Sequence, residues 1–364
     1  MRLYLIHHNI PHNITYSAAG IHANILEYSG LAKKAFGKNG ERIIDFFIVF
    51  GGGAAIMGYV LIIGNLMSGL LSAWGCEGSG CGLYSVSSIA VAVFVMPLCL
   101  FRHFGHLAIL SIFSIVAISL VLALVIVGGP IVGKEKGLDS GDVKIFDMLG
   151  SIQSIGSIVF ALSCAPANFQ AFVSTEAKSR NLDSWIFITL RTVIIGALMC
   201  LVMGLVGYLS FRSTTYGDIL KDFTEPGFAF FKIMVIIHLI MYIPVDFVVM
   251  RYSFVIQVFG IKAENLATIW YVPLSIIMLT STVVLVLILQ SQGVASGKIF
   301  SLILDFTGGI GGSVSSFILP AAIYLKIMPE DSEYYTKAKV MFVLGWFVMI
   351  AVVTATCLNL SEGN

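Results

Sequence analysis

Nine apolar stretches, each long enough to cross a bilayer, occupy most of this chain. A hydrocarbon core about 30 Å thick needs roughly 20 apolar residues in helical form. The stretches run over 44–73, 84–103, 107–129, 148–173, 185–210, 227–257, 266–290, 299–326 and 340–359. Backbone amides cannot stay unpaired in hydrocarbon, so single apolar runs of this length predict helices. The predicted fold class is therefore all-α, a polytopic membrane helical bundle. With 58% of residues hydrophobic and 11% charged, the chain suits solvation by lipid rather than one water-free core.

The loops are short, which predicts one compact bundle. Residues 1–42 form a cytoplasmic N-terminal segment, 43–359 a transmembrane domain of nine helices, and 360–364 a short C-terminal tail. With the N-terminus inside, thirteen Lys and Arg fall on cytoplasmic positions, Arg102, Arg251 and Lys262 among them, and six fall outside. That imbalance favours the N-in orientation. Residues 1–42 hold no uninterrupted apolar core of the kind a secretory signal carries.

The net charge of +1 and the lack of a basic tract argue against a nucleic-acid partner. No phosphate-binding glycine loop, His-Glu zinc motif or serine elbow is present, so the chain does not read as an enzyme. No set of residues has metal-ligand spacing. Cys76 and Cys81 flank a glycine-rich turn in a loop placed outside. Two readings stand for them, a short disulfide and two free thiols.

Glycine clusters at 51–53 with Gly58, and again at Gly308, Gly309, Gly311 and Gly312. Small residues let membrane helices approach closely. Local unwinding around a cavity is the other reading, because irregular backbone at membrane depth survives only when buried in protein or facing water.

Two spans carry polar groups that lipid penalises. In the fourth, Pro166 removes a backbone donor amid Ser163, Asn168 and Gln170, so a discontinuous helix is predicted there. In the sixth, His238, Tyr242 and Asp246 recur at i, i+4 and i+8 and share one helical stripe. A carboxylate near mid-bilayer costs at least about 2.5–3.5 kcal/mol unless it faces the interior, is paired or is protonated. Asp246 is thus the leading candidate for coupling to an ion or proton, with His238 beside it. Arg251, five residues on, does not share its face. Asp305 is expected to reach the outer interface.

Several stretches, taken in order, resemble the amino acid/auxin permease superfamily, which includes sodium-coupled neutral and vacuolar amino acid transporters. They are Tyr28-Ser29-Gly30-Leu31-Ala32-Lys33-Lys34-Ala35-Phe36-Gly37-Lys38, Phe50-Gly51 through Asn65, and Phe160-Ala161-Leu162-Ser163-Cys164. Pro244 with Arg251 and the run Phe317 through Lys326 complete the set. The resemblance implies a LeuT-like fold of inverted repeats, here N-terminally truncated, since the nine spans match the family's third to eleventh helices. It implies a symporter that moves amino acids, neutral ones first, driven by H+ or Na+ and using no other cofactor. It carries substrate contact onto Phe160, Ser163 and Cys164, with Gly52, Tyr59 and Tyr242 lining the cavity. It implies a vacuolar, lysosomal or plasma membrane, with lipid and an amino acid as partners. This chain departs at Asn65, where the family often has Asp, and at Ala165, where many members have His. The alternative is a truncated paralogue or membrane sensor that does not transport. A seven-helix receptor does not fit nine spans.

Overall fold

The computed structural model describes residues 11–25, 27–76, 78, 81–82, 89–102, 108–138, 143–162, 165–175, 181–215, 218–223, 226–291 and 296–362. Among them the regular structure is entirely helical. Helix α1 is Pro11–Ala23 and α2 is Tyr28–Ala73. A π-helical turn, Val91–Val95, runs into the short α3, Met96–Cys99. Then come α4 (Ala108–Glu135), α5 (Met148–Leu162), α6 (Ala165–Ser174), α7 (Leu182–Phe211), α8 (Ala229–Phe259) and α9 (Thr268–Ser291). The next crossing has three parts: α10 (Ser296–Phe306), a π-helical segment Thr307–Ile318, and α11 (Leu319–Ile327). Helix α12, Tyr335–Glu362, closes the described chain.

Eight membrane-capable helical runs occur among the described residues, where the sequence predicts nine. The difference is the stretch 84–103. Only 89–99 of it is described as helix, and 83–88 lie outside the described residues. The described residues on either side of this stretch lie toward opposite ends of α8. Trp74 shares an apolar groove with Ile233, near the start of α8. Arg102 instead donates to the carbonyls of Glu264 and Leu266, beyond the end of α8. Glu27 pairs with Lys262 at that same end. The described part of the stretch contains a widened turn, and the reason is local. Pro97 has no N–H to donate and its ring crowds the preceding turn, so a π-helical turn ahead of it relieves the clash.

The first span also differs. The sequence places it at 44–73, but α2 is helical from Tyr28, with one break at Gly37. Gly37 adopts φ 68°, which glycine accepts without a Cβ penalty. A further correction concerns Arg251. It is not a loop charge but lies inside α8 and is 1% exposed. It drops out of the cytoplasmic count, which still exceeds the outside one.

The bundle is apolar on its outside. Ile194, Ile195, Leu198, Leu201, Leu205 and Leu209 of α7 are exposed, as are Val343, Phe347 and Ile350 of α12. In water such continuous apolar faces would associate, whereas in a bilayer they face acyl chains. Among lipid-solvated helices, close packing and interhelical hydrogen bonds drive association. The most extensive contact joins α2 to α8. A close approach joins α5 to the π-helical segment: a Cβ at Gly308 would lie 1.8 Å from the Gly156 carbonyl oxygen.

Candidate functional site

A cavity of about 200 Å³ opens where α2, α5, α8 and the π-helical segment converge. Its walls include Phe47, Gly51, Gly52 and Tyr59 from α2, Phe160 from α5, and Tyr242 and Asp246 from α8. Thr307, Gly311, Gly312 and Ser315 come from the π-helical segment. Five of the substrate and coupling candidates named from the sequence thus meet in one place: Gly52, Tyr59, Phe160, Tyr242 and Asp246.

Asp246 stands seventeen residues from the start of α8 and thirteen from its end. At 1.5 Å per residue, the nearer end is about 20 Å away. The carboxylate is therefore held deep in the bundle, and Tyr59 holds it. The Tyr59 hydroxyl donates to Asp246 Oδ2 at 3.1 Å. The Tyr59 ring meets Tyr242 edge-on, with centroids 5.7 Å apart. Asp246 is the only charged side chain among the described residues lining the cavity. Arg251 is committed elsewhere. Its guanidinium donates to the carbonyls of Cys99 (2.5 Å) and Phe101 (2.6 Å) and to Ser275 Oγ (3.0 Å). These bonds cap the end of α3, where helix carbonyls lack internal partners.

His238 shares the stripe but not the cavity. Its ring stacks on Tyr242 at 5.6 Å, and its Nδ1 is buried with no hydrogen-bond partner among the described residues. Ser163 and Cys164 lie outside the described residues, as does the Pro166 side chain. The backbone of Pro166 occupies the second position of α6, where a missing N–H costs nothing. Cys76 and Cys81 are joined by a disulfide, their Cα atoms 6.1 Å apart.

Asp305 requires a correction. It does not reach an interface but is 2% exposed, between α10 and α5. Ser157 donates to its Oδ1 at 2.5 Å and Ser301 to its Oδ2 at 3.2 Å. Hydrogen bonds from two hydroxyls offset the cost of burying the carboxyl group.

The sequence reading did not single out Thr307, Ser315 or Phe47, which also line the cavity. The glycine cluster was the available signal for the first two, because it lies between them. Both readings of that cluster apply. Gly308 allows the close contact with α5, and Gly311 and Gly312 face the cavity.

The arrangement is a small, partly polar chamber inside a lipid-facing bundle, with one carboxylate, several hydroxyls and aromatic walls. Among the described residues it offers binding groups but no nucleophile with an adjacent base. Residues 13–358 match the family model described as transmembrane amino acid transporter protein. The human protein provisionally named sodium-coupled neutral amino acid transporter 11 is 23% identical over 334 residues, covering 89% of this chain and 78% of its own length. The yeast Saccharomyces cerevisiae vacuolar amino acid transporter 2 is 23% identical over 360 residues, covering 93% of this chain and 72% of its own. With that match over nearly the whole chain and a multi-pass helical bundle around an internal polar chamber, the chain belongs to the transmembrane amino acid transporter family and is a membrane protein rather than an enzyme.

Proposed function

We propose that this protein carries neutral amino acids across its membrane by alternating access, as a symporter driven by a proton or sodium gradient. The observation that carries the reading is Asp246, a carboxylate deep in the bundle that lines a solute-sized chamber and is held by Tyr59. An amino acid presents an ammonium and a carboxylate. Asp246 is the complement to the ammonium, or to the coupling cation, in a space where water screens little. The hydroxyls of Thr307 and Ser315 and the glycine backbone beside them offer polar contacts for the rest of the substrate.

Under this reading Phe160 closes on the substrate and Tyr242 forms a wall, with Ser163 and Cys164 assigned to the same site by resemblance alone. His238 tunes the Tyr242 face. The LeuT-like inverted repeat supplies the two states, one half rocking against the other around a fixed midplane site. The name of the yeast relative supports a vacuolar setting; a lysosomal or plasma membrane is the other setting that the resemblance implies. The test is uptake of labelled amino acids into proteoliposomes, with a pH gradient and a sodium gradient imposed separately. Uptake that follows one gradient and is lost in Asp246→Asn supports the reading. Substrate binding without any uptake would instead favour a membrane sensor.

A further inference from the structure

A second carboxylate sits on the α2–α8 seam below the chamber, and the transport reading does not use it. Asp45 is 0% exposed. The Ser29 hydroxyl donates to its Oδ1. Ser253 of α8 lies beside the same carboxyl group. Its Oδ2 is buried and accepts no hydrogen bond from any described residue.

The position matters as much as the burial. Tyr59 meets Asp246 while Gly52, seven residues earlier, packs on Met250, so α2 and α8 run antiparallel there. Asp45 is seven residues before Gly52, and Ser253 is seven after Asp246. Two helical turns on each helix place Asp45 about 10 Å below Asp246, on the same seam. Ile48, one turn above Asp45, lines the chamber floor. Glu41, one turn below on the same helical face, is partly exposed and pairs with Lys33 at 3.0 Å.

We infer that Asp45 is a proton-relay residue, taking on its Oδ2 the proton that Asp246 releases and passing it through Glu41 to the predicted cytoplasmic side. The inference rests on the proton-coupled form of the transport reading. In the first step the Asp246 carboxyl loses a proton to water in the chamber, and Asp45 gains one as its carboxylate becomes a carboxylic acid. In the second, Asp45 returns to carboxylate as Glu41 or bulk water takes the proton. No atom or electron is left over. A metal cation fits less well, because an all-protein cage calls for about six oxygens and three side chains converge here. Other ionisable groups around Asp45 are Glu41 on its own helix and Tyr252 on α8, with Glu27, Glu264 and Lys262 grouped beyond Tyr252.

The test uses the full chain in proteoliposomes with a pH dye inside and labelled amino acid outside. In Asp45→Asn, substrate-driven proton flux falls by at least about tenfold, while substrate exchange at equal pH on both sides stays within about twofold of wild type. Proton flux equal to wild type in that variant overturns the inference. If Asp45→Asn does not yield monodisperse protein, Ser29→Ala decides. Losing one donor destabilises the carboxylate and raises its proton affinity. The pH midpoint of proton flux then rises by about half to one unit, the worth of one hydrogen bond, and an unmoved midpoint overturns the inference. Wild-type protein that moves amino acid with sodium and no protons also overturns it, yet leaves transport standing. Wild-type protein that moves no amino acid sinks the transport reading and this inference together.

Discussion

Tyr59 donates to Asp246 across 187 residues of chain, and that one bond ties the middle of α2 to the middle of α8. The two helices make the most extensive contact in the bundle, so the carboxylate is fixed on a rigid seam. Tyr59→Phe keeps the ring and its edge contact with Tyr242 but removes the donor. A hydrogen bond to a charged group contributes about 1.5–3 kcal/mol. The expected result is a loss of roughly tenfold or more in initial uptake rate, with thermal stability in detergent little changed. Uptake at the wild-type rate would show that the bond does not serve the site.

Arg251 carries a different prediction, one of stability. Its guanidinium fork spans the carbonyls of Cys99 and Phe101 and packs 4.3 Å from the Tyr271 ring centroid. Lysine has a single ammonium and cannot reproduce that fork. Arg251→Ala leaves the end of α3 unpaired and is expected to destabilise the protein by at least about 3 kcal/mol. Arg251→Lys should recover little of it. Scanning fluorimetry of the purified variants reads both, and full recovery by lysine would refute the fork.

Gly308 predicts a steric effect. Any Cβ there meets the Gly156 backbone, which has no side chain to swing aside. Gly308→Ala is expected to cost roughly 3 kcal/mol or more. Gly204 on α7 is the control, since nothing lies within 4 Å of its added Cβ. Gly204→Ala should be neutral or stabilising by up to about 1 kcal/mol, as alanine favours helix. Equal melting temperatures for the two variants would contradict the packing.

Lys262 and Glu27 tie the segment before α2 to the loop after α8. The Glu27 carboxylate, by hydrogen bond and charge, holds the Lys262 ammonium above its ordinary pKa of 10.5. A raised folded-state value means the contribution is complete below the unfolded pKa and lost as pH rises through the folded one. On the Lys262 side the pair therefore works at neutral pH and fades in strong alkali. Lys262 is largely exposed, so the effect is small, about 0–1 kcal/mol, and salt screens it. Glu27→Gln should lower the melting temperature slightly at low salt and not at all at high salt. A loss that persists in high salt would argue for a packing role instead.

Hydropathy made the crossings legible because it is a local property: a residue's transfer cost into lipid depends on its own side chain. The ends of α7 and α9 fall within about three residues of the predicted spans for that reason. Helical period likewise put Tyr242 and Asp246 on one stripe before any contact was known. Partners on other helices left no such trace. Nothing near Asp246 in the chain points to Tyr59, and nothing near Arg251 points to Cys99. Asp305 shows the cost of local reasoning: its place along the span suggested an interface, but two serines bury it. The sequence by itself determined that this chain spans a bilayer as helices and which of its polar groups would be expensive there. Only the tertiary structure decided where each of those groups finds its partner, because hydrogen bonds and close packing between helices join residues that are far apart in the chain.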